Sequence, residues 1–149
     1  MGRRSYHRED PLVGTFCVEV MVPTGKVLYG SANFHVGGTF SGMDSGDIGQ
    51  PFIDPNGQLL TTWAGSWKRI CRRKYKFFLT NVINAPGPNL PATPVNRLKV
   101  EGILKLSRDK QRFVIKADGT IYDVKDITLS KPTSIGPIIV VGDRIGFKI

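Results

Sequence analysis

The stretch "GSWKRICRRKYKFFLTN", residues 65–81, decides how the chain is read. Six basic side chains fall within the nine positions 68–76, and Trp67 and Tyr75, Phe77 and Phe78 stand among them. Such a segment is either a nucleic-acid-binding tongue or a β-hairpin whose aromatic face is buried. Side chains alternate across a strand with period two, so Trp63, Gly65 and Trp67 share one face of a strand over 61–69. Tyr75, Phe77, Leu79 and Ile83 share one face of a second strand over 74–84. The two apolar faces coincide only if the connecting loop is odd in length, or if an even loop carries a bulge. In that register Lys68, Lys74 and Lys76 lie on the solvated side, and Arg72 and Arg73 cap the turn. Modules that bind single-stranded nucleic acid need the reverse, with stacking aromatics on the same exposed face as the cations. Phe78 alone meets that condition, so the buried-hairpin reading is preferred.

The rest of the chain repeats the strand pattern. Its 17 glycines and 10 prolines punctuate runs of β-branched and aromatic residues, and helical periodicity is absent. Strands are expected near 13–22, 27–35, 39–44, 61–69, 74–84, 97–106, 112–117, 120–129 and 138–148. Turns fall at 23–25, Gly37-Gly38 and Asp118-Gly119. Longer connections cover 45–60 and 85–96, the second judged too rich in proline for a sheet ladder. In "RLKVEGILKLS", Leu98, Val100, Leu104 and Leu106 oppose Lys99, Glu101 and Lys105, which gives one buried and one wet face. Strands of this kind with no helix to cover them must stack or close on themselves. The expected fold is all-β, a single antiparallel up-and-down meander barrel of about 8–10 strands. An odd count cannot close antiparallel. Either a short strand lies near Phe52–Asp54, or two of the segments form one bent strand.

At 149 residues the chain makes one domain without needing a disulfide or a metal. Residues 1–12 read as a flexible basic N-terminal segment and 13–149 as the barrel. Cys17 and Cys71 read as free structural thiols. No apolar run approaches membrane-spanning length, and "MGRRSYHRED" lacks the apolar core of a secretory signal. A cytoplasmic protein without a membrane partner is the expectation. The net charge of +9 is concentrated in Arg3, Arg4 and Arg8 and in the 68–76 stretch, and the remaining Lys and Arg balance the acids. A meander puts the turn at 70–73 at the same end as the N-terminal segment and the "SRDKQ" turn. The two long connections then meet at the opposite end.

Sites with chemistry are few. His35 beside Gly37-Gly38 reads as a hydrogen-bonded turn residue, and "MDSGD" lacks the carboxylate spacing of a calcium loop. Asp123 and Asp126 fall on opposite faces of the expected 120–129 strand, so one would point inward and need a partner such as Arg144. There is no phosphate-binding loop signature. Neither a metal nor a cofactor is expected.

Several motifs resemble those of lipocalins and their wider calycin relatives. "VGTFCVEV" is similar to the Gly-x-Trp opening of such barrels, with Phe16 in place of Trp. "VVGDRIGFKI" puts Arg144 where these proteins often carry a basic side chain stacked across that aromatic. "NFHVGGTFSGMDS" followed by "GSWKRICRRKYKFF" is similar to small bacterial lipocalin-like proteins. The resemblance implies barrel closure by Phe16 and Arg144 and a cup for a small hydrophobic or amphipathic molecule. Its lining would be drawn from Phe34, Trp63, Trp67, Tyr75, Phe77, Leu79, Asn81, Val100, Leu104 and Tyr122. Gly65 and Gly102, mid-strand on apolar faces, would either leave room for that ligand or only bend the sheet. An interior filled by its own side chains is the competing picture. Two other functions stay open. One is a cofactor-independent barrel cyclase or isomerase acting on an apolar substrate. The other, weaker, is nucleic-acid or acidic-partner binding through the basic hairpin.

Overall fold

The computed structural model describes residues 10–44, 59–60, 62–85 and 93–146, and among them every regular element is a strand. In chain order these are β1 (Gly14–Met21), β2 (Val27–Phe34), β3 (Thr39–Asp44), β4 (Leu59–Leu60), β5 (Trp63–Cys71), β6 (Lys74–Ala85), β7 (Thr93–Leu106), β8 (Arg112–Asp123) and β9 (Thr133–Ile145). Pairing runs β6-β5-β3-β2-β1-β9-β8-β7, every pair antiparallel, and β7 returns to β6. The result is a closed eight-stranded up-and-down barrel. The two residues of β4 pair with Ile83 and Asn84 of β6, and so prolong the lane that β5 occupies lower down.

The even count comes from merging two expected strands. Asp118-Gly119 is no hairpin turn. β8 runs straight through it, with a register shift between Gly119 and Thr120 against β9. The glycine serves a bulge, where Ile135 and Ile138 lie over the spot a side chain would occupy. The chain turns instead after Asp123, in a loop organised by Asp126. Its carboxylate accepts from the Ser130 and Lys131 backbone N–H groups, which holds its pKa below the usual range. Neither Asp123 nor Asp126 points into the barrel, and Arg144 lies at the opposite end from both. A second correction concerns the proline-rich connection. β7 begins at Thr93 and keeps Pro94 in the ladder opposite Asn84, next to a register shift that leaves Val95 of β7 without a partner on β6.

The 65–81 hairpin takes the bulged form. Trp67 faces Phe77 and Lys68 faces Lys76, and the register then shifts between Arg69 and Cys71 to leave a tight Arg72-Arg73 turn. Tyr75, Phe77 and Leu79 are buried, while Lys68, Lys74 and Lys76 are exposed. The same alternation fills the barrel from β1 (Phe16, Val18, Val20), β8 (Phe113, Ile115, Ala117) and β9 (Ile138, Val140). Strand directions give the barrel two ends. The lower end carries the 70–73 and 107–111 turns and the start of β1. The upper end carries the strand ends leading into the long connections, of which 45–58, with the Phe52–Asp54 segment, and 86–92 lie outside the described residues.

Gly65 and Gly102 let the neighbouring strand approach closely and leave no room for a ligand. A Cβ on Gly102 would strike the Lys116 carbonyl oxygen and come within 2.7 Å of Ala117 Cβ. One on Gly65 would strike the Phe78 carbonyl oxygen and sit 2.8 Å from Leu79 Cα. The neighbouring strand's backbone already occupies both places. Overpacking against backbone cannot relax by a rotamer change, so Gly102→Ala is expected to lower unfolding free energy by about 1–3 kcal/mol or more in urea titration. A loss below about 0.5 kcal/mol would contradict this close approach.

Candidate functional site: a barrel closed at one end

The lower half of the interior is solid. Phe16, Phe34, Phe40, Phe77 and Phe113 form a continuous aromatic cluster with ring centroids 4.8–6.3 Å apart, mostly edge-to-face or tilted. That is the favoured geometry for aromatic pairs. Trp67 extends the cluster to Tyr75 at 5.6 Å and donates its indole N–H to the Thr39 carbonyl. Leu104 and Leu106 complete the floor.

A polar latch seals this end. The chain before β1 folds across it and buries Leu12 completely. The Arg144 guanidinium lies 4.5 Å from the Phe16 ring centroid and donates to the carbonyls of Pro11, Val13 and Lys110. Its planar fork can satisfy three backbone acceptors while stacking on the ring, which an ammonium cannot. Gly14 makes the approach possible. Its φ is +142°, and a Cβ there would sit 2.5 Å from Arg144 Nη1. Beside the latch, the Tyr75 hydroxyl donates to Asp10, which also pairs with Arg69. Residues 10–12 therefore pack as part of the barrel.

The upper half is different. A cavity of about 60 Å³ lies there, walled by Val20, Val22 and Leu28 of the first hairpin, Trp63, Leu79, Asn81, Leu98, Val100, Ile138 and Val140. Asn81, only 4% exposed, is the one amide in an otherwise hydrocarbon wall. Of the residues expected to line a cup, Trp63, Leu79, Asn81 and Val100 border this cavity. Phe34, Trp67, Tyr75, Phe77 and Leu104 belong to the packed half below. Tyr122 is buried but outside the contiguous core. Val22, Leu28, Ile138 and Val140 escape a reading guided by aromatic residues, because space is left by small aliphatic ones.

The remaining candidates are structural. His35 exchanges a hydrogen bond with Ser41 at 2.9 Å on the surface. Cys17 and Cys71 are exposed and free. Among the described residues no group of His, Cys, Asp or Glu is arranged to hold a metal ion.

No known protein family matches the chain, and no curated protein is similar enough to be matched. Among solved structures, a redesigned β-barrel is similar over 91% of this chain and 93% of its own, at 17% identity and a TM-score of 0.37. The strand pairing itself defines the class, a closed eight-stranded antiparallel barrel.

The latch has a signature in alkali. Burial, and then donation to the Asp10 carboxylate, push the Tyr75 hydroxyl well above the ordinary phenol range. The folded chain therefore holds this proton more tightly than the unfolded one. The resulting stability is intact below the unfolded value of about 10 and is lost as pH rises past it. Denaturant midpoints measured from about pH 9 to 11.5 should fall more steeply for the wild type than for Tyr75→Phe. Parallel curves would contradict the assignment.

Proposed function

We propose that this is a lipocalin-like binding protein that takes a small hydrophobic or amphipathic molecule tail-first into the upper half of the barrel. The observation that carries the reading is the position of the void. It lies at the end away from the latch, in an apolar wall with a single amide. Apolar cavities of this kind stay dry and accept apolar guests. About 60 Å³ is far below the ~300 Å³ at which pockets for drug-sized ligands begin. The guest in this reading is therefore slender: an unbranched alkyl end reaches the cavity while the rest of the molecule stands toward the mouth.

Calorimetric titration with 1-octanol tests the reading. Saturable binding is expected, with the negative heat-capacity change of apolar burial. Val140→Phe, which fills the void, should weaken binding at least tenfold while leaving the strand signal in circular dichroism unchanged. Absence of saturable heat, or an unaltered affinity in Val140→Phe, would overturn the proposal.

A further inference from the structure

Cross-strand register gathers charge on the outside of the barrel in a way that the linear sequence conceals. On the outer face of β5–β8, Lys74 stands opposite Lys105, and Lys68 opposite Lys76. Lys76 neighbours Ile103, which neighbours Lys116. Five lysines from four strands thus gather on one side of Ile103, all five exposed, with Glu101 flanking it on the other. None has an ion-pair partner among the described residues, whose salt bridges join Arg69 to Asp10, Lys99 to Glu101 and Arg112 to Asp143. Acids do occur on this face, but in the next row up, where Glu101 stands opposite Asp118. Like charges directly opposed across a sheet destabilise it. Interleaving the two rows would have relieved the strain, so the segregation points to a partner that supplies the missing negative charge.

A groove of about 310 Å³ opens on the same face. Phe78 and Ile103 form its apolar sides and Lys68 and Lys76 bound it below, while Ser66 and the Glu101 carboxylate, which is paired with Lys99, flank Phe78. Phe78 is half-buried and faces outward, with Lys99 Nζ 5.9 Å from its ring centroid. One aromatic face beside a run of cations offers a single-stranded nucleic acid one π surface for a base and several ammonium groups for phosphates. The cations here are lysines, which act as point charges without reading sequence. We propose that the lower outer face of β5–β8 binds single-stranded nucleic acid without sequence preference, its phosphates on the lysine rows and one base in the groove against Phe78. This surface is separate from the interior cavity and does not depend on the ligand reading above.

Fluorescence anisotropy with a labelled oligothymidylate of about 16 nucleotides tests it across a salt series. Wild type should bind at low salt and lose affinity steeply as salt rises. Replacing Lys68, Lys76 and Lys105 together by Gln should reduce the slope of log K against log salt by about 2, from ~0.7 per phosphate contact removed. That variant should melt no lower than wild type, since it relieves two like-charge pairs. Phe78→Leu should weaken binding about five- to hundredfold and leave the salt slope unchanged, the mark of a lost stacking contact. No binding at low salt, or a slope unmoved by the triple change, would overturn the proposal. So would a neutral Phe78→Leu accompanied by equal competition from polyglutamate or phosphatidylserine vesicles, which would mark an undiscriminating polyanion surface.

Discussion

Closing eight strands into a barrel leaves an axis of limited width, just enough for side chains to fill it or for one small guest to share it. How bulk is distributed along that axis sets the rest of this molecule's behaviour. At the lower end the inward positions hold Phe16, Phe34, Phe77 and Phe113, and their rings meet edge-on across the centre. At the upper end the inward positions hold Val20, Val100, Ile138 and Val140 beside Trp63, and a cavity of about 60 Å³ remains between them. One end is therefore filled by rings, and the other keeps a small apolar cavity.

The latch makes this asymmetry permanent. Arg144, near the end of β9, ties down the carbonyls of Pro11 and Val13 on the segment entering β1, so the two termini of the barrel are joined over the aromatic core. Asp10 brings in the basic hairpin through Tyr75 and Arg69. The charged groups at this end thus divide into two sets. Arg144 and Arg69 are engaged with the barrel's own backbone and acids, while Lys68, Lys74, Lys76, Lys105 and Lys116 have no ion-pair partner among the described residues. Total charge says nothing of that division; the strand register does.

Much of the fold is legible in the chain because alternation is a local signal. Leu98, Val100, Leu104 and Leu106 declare their face without reference to any neighbour, and the mismatch in parity at 70–73 demands a bulge from the residue count alone. The Asp118-Gly119 pair misleads for the opposite reason. Its meaning depends on Ile135 and Ile138 packing over the glycine from β9, a tertiary fact. Pro94 misleads similarly, since a register shift beside it, at Val95 of its own strand, shows only in the pairing with β6. The site is half legible. Inward direction can be read for Trp63, Leu79, Asn81 and Val100, but a void is a property of what several strands fail to fill together. The lysine cluster is hidden in the same way. Lys105 and Lys116 stand 29 and 40 residues beyond Lys76, the last cation of the basic stretch, and pairing alone brings them beside it.

The division of the interior is most directly tested by a crystal structure determined under xenon pressure, because apolar cavities that exclude water take up this atom. Xenon is expected in the upper half, between Trp63 and Val140, with none among Phe16, Phe34 and Phe113. Xenon between those rings, or none anywhere in the barrel, would contradict the account.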